Sequence, residues 1–414
     1  MMLPRRIALV LASVSFGLAG CGDSTTPVDA GPADSGVADV VDVPVTPGDI
    51  PMVDAGSPLV LTATLSGRQV VPPAYGTTAS GTVTFTLSPN RMLLSYSVTH
   101  TILLPLATRL HIGLAGEAGA MALSLTNAGG TTIGTTGLTA EQSRAIMEGR
   151  AYVNITSSSF PEGELRGQIV QPGEAVYTAR LSGDQENPPV TATGSGIAEF
   201  LVDTTANRLR YVVNVTGMAM ASTGWHIHTG GPGFNGGVLI DLSDPGPVPA
   251  NAVSGARPIT AASVADLEAG RWYVNMHSAA NPAGEIRGQI LRPGERLFIA
   301  RMNGMEELPP VTTMATGTLG AIMSANRDSL AYDGVVMGVT PMSAHLHRGA
   351  LGVGGDVVTP LTIMGSNLRG VAALTSASPL LTALPMGGIY VNVHSTMFPA
   401  GEIRGQLLAA PPSP

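Results

Sequence analysis

The 414-residue chain contains no lysine and only one cysteine, Cys21. A single cysteine excludes an internal disulfide. Charged residues make up only 12% of the sequence and aromatic residues only 4%. With arginine as the only strong base and a net charge of −8, the chain has no basic stripe that could follow a phosphate backbone. The composition therefore argues against nucleic acid as a partner.

Residues typical of strands and turns are abundant instead. The chain has 52 glycines and 32 prolines, 44% of its residues are hydrophobic, and stretches rich in Ala, Leu and Glu are missing. Such a composition favours many short strands joined by turns over long helices. A chain of this length indicates two to four domains.

The first 21 residues have the form of a lipoprotein signal peptide. Two arginines precede an apolar run at 7–18 that is too short to span a bilayer. The run ends in "LAGC", which resembles the lipobox of bacterial lipoproteins and implies that Cys21 becomes the lipidated N-terminus. Gly22 follows where an Asp would favour retention at the inner membrane, so the resemblance points to the outer membrane. An ordinary signal peptide with an incidental cysteine is the alternative.

Residues 22–57 read as a disordered acidic linker. Seven of the 29 acidic residues lie here, all of them Asp, together with many Pro and Gly and no Arg. Like charges extend such a chain and proline stiffens it. We expect this segment to hold the folded part away from a membrane.

The remainder repeats one unit three times. The units open with "LSGRQVVPP", "LSGDQENPP" and "MNGMEELPP", and they close with "YVNITSSSFPEGELRGQI", "YVNMHSAANPAGEIRGQI" and "YVNVHSTMFPAGEIRGQL". The period is that of a complete domain and too long for a solenoid repeat. We place the domains at 58–173, 174–294 and 295–410.

Each unit carries the pattern of an all-β domain. Short runs rich in β-branched residues, such as "RLRYVVNVTGM" at 208–218, alternate with Gly and Pro turns. Helical signal is limited to about one stretch per unit, as at 139–149, where Thr139 is a suitable N-cap. The pattern predicts three tandem antiparallel β-sandwiches.

The order of these motifs resembles the CHRD domain, a module named after chordin. The resemblance covers nearly all of 58–408, three times over, and the closing motif is its most specific part. It implies an immunoglobulin-like sandwich in an extracytoplasmic setting, and it implies no particular activity. No catalytic constellation stands out either, so we favour a non-enzymatic role in binding, adhesion or envelope scaffolding. The expected partners are a membrane, through the lipid anchor, and an unidentified protein or envelope component.

Histidines recur at motif positions in the second and third units. The pairs in "HIH" and "HLH" are two residues apart, so on a strand both side chains point to the same face. A further histidine lies in each closing motif. Three imidazoles could hold Zn²⁺ or a copper ion with an open position, and the candidate ligand sets are His226, His228 and His277, and His345, His347 and His394.

These positions also resemble the copper ligands of copper/zinc superoxide dismutase. The resemblance implies that Arg287 and Arg404 would guide an anion, but the zinc site, the bridging histidine and the disulfide of that family have no counterpart here. The first unit has Arg109 and Thr156 at two of the three histidine positions, so it cannot form the trio. A metal site and a structural hydrogen-bond network both remain open as interpretations.

Each closing motif also contains a Glu and an Arg two residues apart. The pairs are Glu164 and Arg166, Glu285 and Arg287, and Glu402 and Arg404. Such a pair could clamp an anion or a partner's carboxylate, or it could fix a loop through bonds to the backbone. The first unit keeps the pair without the histidines, which favours the structural role.

Overall fold

The structure is a computed structural model that describes residues 56–72, 74, 76–126, 130–218, 221–243 and 251–410. The predicted signal peptide, Cys21 and nearly all of the predicted linker lie outside the described residues. Among the helices in the described ranges, none is long and apolar enough to cross a bilayer.

The described chain forms three antiparallel all-β domains in tandem, as the sequence predicted. The first comprises β1 (Leu59–Ser66), β2 (Ser80–Leu87), β3 (Leu93–His100), β4 (Pro105–Ile112), β5 (Ala120–Leu125), β6 (Gly130–Gly137), α1 (Ala140–Met147), β7 (Ala151–Ser157) and β8 (Leu165–Gln168). The second comprises β9 (Glu174–Ser182), β10 (Ser195–Asp203), β11 (Arg208–Thr216), β12 (Ser222–Thr229), β13 (Val238–Asp241), β14 (Ala252–Pro258), α2 (Ala261–Glu268), β15 (Trp272–Ser278) and β16 (Ile286–Gln289). The third comprises β17 (Arg296–Asn303), β18 (Thr316–Met323), β19 (Ser329–Met337), β20 (Ser343–Arg348), β21 (Val357–Pro360), β22 (Ile363–Met364), β23 (Asn367–Ala373), α3 (Leu380–Ala383), β24 (Ile389–His394), β25 (Ile403–Gln406) and β26 (Leu408–Ala409). Short 3-10 helices lie at Gly67–Gln69, Gly183–Gln185, Gly304–Glu306 and Leu384–Met386.

The strand order is the same in all three domains. It runs β5-β4-β7-β8-β1-β2-β3-β6 in the first, β13-β12-β15-β16-β9-β10-β11-β14 in the second, and β21-β20-β24-β25-β17-β18-β19-β23-β22 in the third, where β26 also pairs with β17. The closing motif thus supplies the adjacent interior strands β15 and β16, and the HxH motif lies on β12, which pairs with β15. The limits predicted for each domain stay a prediction.

Alternation along the strands separates a core face from an outer face. On β12, Trp225 and Ile227 are fully buried and pack with Phe200 and Tyr211 from the other half of the sheet. The two halves of each sheet therefore enclose one core, which is the β-sandwich that the pattern predicted. His226 and His228 alternate with these core residues and so lie on the outer face. The predicted helix is also present, as α1, with Thr139 in a capping box with Gln142.

A glycine-rich segment covers the outer face beside β12. We call residues 113–119, 230–237 and 349–356 the glycine loops of the three domains. A β-bulge between Ile227 and His228 directs the strand into the loop. A Cβ at Gly236 would lie 1.5 Å from the carbonyl oxygen of Thr229, whereas a Cβ at the adjacent Gly237 would have no atom within 4 Å. The close return of the loop onto its own strand therefore requires glycine at 236.

Substitution of these two neighbouring glycines should have opposite outcomes. Gly236→Ala forces a methyl group against a backbone oxygen, which should lower the free energy of unfolding of the second domain by at least about 1–3 kcal/mol. Gly237→Ala is the matched control and should change it by less than about 0.5 kcal/mol. Calorimetric unfolding of both variants checks this, and equal effects would contradict the packing of the loop described here.

Candidate metal centres

The arginine of each closing motif holds the glycine loop. In the second domain the Arg287 guanidinium lies 3.4 Å from the centroid of the Tyr273 ring and donates to the carbonyl oxygen of Gly231 at 3.0 Å. Gln289 adds a bond from Nε2 to the carbonyl oxygen of Gly230 at 2.9 Å. Charge-assisted bonds to backbone and stacking on an aromatic ring together fix the loop above the sheet.

The same apparatus recurs in the other two domains. Arg166 lies over Tyr152 and donates to the carbonyl oxygens of Glu117 and Leu114. Arg404 lies over Tyr390 and donates to the carbonyl oxygen of Val353 at 2.8 Å. The three guanidiniums are 1–3% exposed, so their contacts are with the protein interior.

The glutamates of the closing motif contact hydroxyl groups. Glu164 accepts a bond from Thr77 Oγ1 and Glu402 accepts one from Thr313 Oγ1, both at 2.8 Å. Glu285 is likewise buried. Within the described ranges, no ion pair joins a closing-motif glutamate to the arginine two residues later.

The three histidines of the second domain converge. His228 and Gly236 form a bond between Nδ1 and the carbonyl oxygen at 3.0 Å, and His277 Nδ1 lies 3.1 Å from the carbonyl oxygen of Pro282. A carbonyl can only accept, so each Nδ1 carries the proton and each neutral ring presents a lone pair at Nε2. These two Nε2 atoms are 3.4 Å apart, and one nitrogen from each member of the trio, His226 included, lies within 4.8 Å of the others.

The third domain repeats the arrangement with one difference. His347 Nδ1 bonds the carbonyl oxygen of Gly355 at 3.0 Å, and His394 Nδ1 bonds that of Pro399 at 3.1 Å. Here His394 Nε2 lies 3.2 Å from Nδ1 of His345. The trio again has one nitrogen per ring within 4.8 Å of the others.

Burial disfavours the charged form of four of these imidazoles. It lowers the pKa of His228 to about 4, helped by the positive charge that His277, His226 and Arg287 would add nearby. Burial also lowers the pKa values of His277, His345 and His394. In the second domain His228 and His277 face each other through lone pairs and cannot hydrogen-bond to one another, whereas they can share a cation. Two nitrogens about 2.0–2.1 Å from a tetrahedral zinc ion are roughly 3.4 Å apart, which matches the spacing of His228 and His277.

The first domain has the histidine that bonds the glycine loop but lacks the other two histidines of a trio. His111 occupies the position of His228, bonds the carbonyl oxygen of Gly119 through Nδ1 at 3.0 Å and stacks on Tyr152. Its neighbours at the other two positions are Arg109 and Thr156. The histidine shared by all domains thus helps to hold the loop, and the other two are present only where a trio forms.

Two buried glutamates border the trios and were missed from the sequence. Burial raises the pKa of Glu186 to about 7, while Arg287 and a hydrogen bond with Asn275 lower it. Asn275 lies opposite His226 in the strand register. Glu307 has the same position in the third domain, also with a pKa raised to about 7 by burial. The opening motifs contained a signal for these glutamates. The two domains with a trio have Glu186 and Glu307 at one motif position, and the first domain, which lacks a trio, has Val70 there.

In the described part of the chain, the two trios are the groups of three or more His, Cys, Asp or Glu side chains close enough to share one metal ion. The anion-guiding arginine that the dismutase resemblance implies has a different setting here, since Arg287 is 1% exposed and bonded to the glycine loop. What the geometry offers is three neutral nitrogen donors with second bonds that fix their orientation, as is usual for metal-binding histidines.

The fold and the recurring loop define a tandem array of β-sandwich modules. The family model of the CHRD domain matches residues 61–169, 177–290 and 298–407. The chain therefore belongs to the CHRD family. It is also similar to chordin from Xenopus laevis, with 27% identity over 165 residues, and to chordin from Danio rerio, with 34% identity over 153 residues. These alignments cover 36% and 33% of this chain but only 17% and 16% of the two chordins.

The titration of His228 should show the effect of burial directly. In metal-free protein we expect its ring to stay neutral down to about pH 4. Because this pKa lies below the ordinary value, the unfolded chain binds the proton more readily, and the second domain should lose stability as the pH falls from about 6.5 towards 4. Ring carbon and proton shifts followed by NMR against pH check this, with a His228→Gln variant to assign the signal. A midpoint near 6.5 would contradict the buried, neutral ring.

Proposed function

We propose that this protein is an exported, non-enzymatic binding protein of the cell envelope that displays three CHRD domains, two of which each hold one transition-metal ion. Membership of the family supports a binding or scaffolding role and export, since these domains occur in secreted proteins such as chordin. The buried arginines support binding over turnover, because a guanidinium bonded to the loop is not free to draw in a substrate anion.

Attachment to the envelope is proposed from the N-terminal sequence. The basic start, the apolar run and the "LAGC" box support lipidation of Cys21, and Gly22 supports the outer membrane. The acidic segment at 22–57 would then act as a tether for the folded domains. Protein or envelope partners would meet the domains beyond this tether.

Metal binding is proposed from one observation above all. In each trio two rings donate Nδ1–H to backbone carbonyls, so that their remaining nitrogens turn towards one point. Imidazole suits zinc and copper, and three protein donors leave one position for water or a partner's ligand. The metal would therefore either reinforce the loop or form part of a binding surface.

Replacement of Cys21 tests the anchor. In a Gram-negative host, Cys21→Ser should abolish incorporation of labelled fatty acid and move the protein from the membrane pellet to the soluble fraction, because a lipid chain supplies the attachment. Gly22→Asp is the matched variant and should keep the label while shifting the protein to the inner membrane. Equal labelling of the wild-type and Cys21→Ser proteins would contradict lipidation.

Metal content tests the trios. The chain from Gly22 onward, loaded with zinc or copper and dialysed, should retain two ions per chain by mass spectrometry. A variant with His226→Ala and His277→Ala should retain one, because the remaining single imidazole cannot hold the ion. His111→Ala is the control: it removes an imidazole that bonds the glycine loop of the first domain, which has no trio, and it should leave two ions.

A gain of function completes this test. Arg109→His with Thr156→His rebuilds the trio around His111 and should raise the content to three ions per chain. Absence of retained metal from the wild-type chain, or equal retention by the His226→Ala and His277→Ala variant, would exclude the proposed sites and leave the imidazoles as a structural network.

A further inference from the structure

Consecutive domains contact each other through the glycine loop. The loop of the first domain lies on the outer face of the next sheet, where the Gly116 N–H donates to the carboxylate of Glu199, which is 2% exposed. The loop of the second domain lies on the third in the same way. A Cβ at Gly320 would be 2.0 Å from Cβ of Pro232, and one at Gly233 would be 2.3 Å from Cγ2 of Thr318.

Two further contacts are made at these interfaces, and the first of them recurs at both. An arginine on the first strand of the later domain donates to a carbonyl oxygen in the 3-10 turn of the earlier one: Arg180 to that of Arg68 at 3.4 Å, and Arg301 to that of Asp184 at 2.5 Å. In addition, Leu291 of the second domain packs in an apolar cluster with residues of the third that include Ile322. Each domain thus presents one end to its successor.

The third domain has the same end, and it is exposed. We call Met305, Leu351, Val353, Met386 and Leu408 the terminal face; they stand at the positions of Asp184, Pro232, Phe234, Ala269 and Leu291 in the second domain. In the second domain Pro232 and Leu291 are buried against the next domain and Phe234 is partly buried, while Asp184 and Ala269 stay exposed. The five terminal-face residues are 73%, 69%, 53%, 85% and 55% exposed. All five are apolar, and exposed apolar side chains at an end of the domain that elsewhere forms an interface mark an interaction site.

The first domain does not offer a matching surface. Thr64 stands where Arg180 and Arg301 make their interdomain bonds, and Thr84 stands where Glu199 accepts the loop N–H. The outer face of the first sheet instead carries exposed hydroxyl groups, such as those of Ser95 and Thr99, alongside the exposed side chains of Val60, Leu93 and Ile133. A head-to-tail chain of molecules would therefore lack the arginine contact used twice within the chain and the glutamate contact used once, as expected for a capping module.

We propose that two copies of this chain pair through their terminal faces about a two-fold axis. The terminal face stands at the end of the domain that forms the interface at two places in the molecule, and it has the apolar Met305 in place of the charged Asp184. A two-fold axis brings the same apolar patch from both copies together and closes the assembly at two. Methionine side chains suit such a contact because they adapt their shape to the partner. The pairing does not depend on bound metal.

Sedimentation velocity of the chain from Gly22 onward tests this pairing. The wild-type protein should sediment as a dimer, and Leu351→Asp should weaken dimerisation at least about 30-fold, the effect of losing a central apolar contact. Thr84→Asp, on the free face of the first domain, is the control and should leave the dimer intact. Circular dichroism spectra should be the same for all three proteins, and Leu351→Asp should unfold at the temperature of the wild-type protein once both are diluted to monomers, because dimerisation itself raises the unfolding temperature.

Cross-linking gives a second measurement that does not depend on a disruptive substitution. The chain from Gly22 onward lacks Cys21 and therefore has no thiol. Leu351→Cys thus introduces a single reactive thiol into each copy. A short bis-maleimide should join two Leu351→Cys chains and should not join Thr84→Cys chains. A wild-type protein that stays monomeric at high micromolar concentration would overturn the proposal. So would a monomer that floats with phosphatidylcholine vesicles, because the protein would then bind a lipid surface and not a second copy. Assemblies larger than dimers would also overturn the proposal if Thr84→Asp made them smaller, because this result would show head-to-tail association.

Discussion

A buried guanidinium stacked on a tyrosine is the interaction on which each domain's functional surface depends. Arg287 lies against Tyr273 and holds the glycine loop by its carbonyl oxygens. Burial lowers its pKa to about 10, so it stays charged at neutral pH and its bonds remain charge-assisted. The loop held in this way supplies the carbonyl that orients His228, and its tip forms the contact with the following domain.

The first domain shows which parts of this arrangement are separable. It keeps the arginine, the tyrosine, the loop and the loop-bonded His111, yet it has no trio. Val70 stands there in place of the buried Glu186 and Glu307. The glutamates and the additional histidines therefore occur together, and the loop forms without them. This pattern distinguishes residues that build the module from residues that add a chemical property to it.

The two interpretations that the sequence left open for the histidines are compatible. A structural network does exist, since Nδ1 of His228 and of His277 each bond a backbone carbonyl. That network also determines which nitrogen of each ring is free and where it points, which is how surrounding hydrogen bonds orient metal ligands in general. Lowered pKa values keep the free nitrogens unprotonated, because burial disfavours the imidazolium.

The sequence by itself determined the features that depend on neighbours in the chain. Alternation predicted the strands and put His226 and His228 on one face, the Thr139 cap predicted α1, and the repeated motifs predicted three similar domains. Only the tertiary structure decided which nitrogens converge, that Arg287 is buried, and that Glu186 lies beside Asn275. These features rest on contacts between residues far apart in the chain, such as His228 with His277, 49 positions apart, and Arg287 with Gly231, 56 positions apart, and a local pattern cannot specify the partner across such a distance.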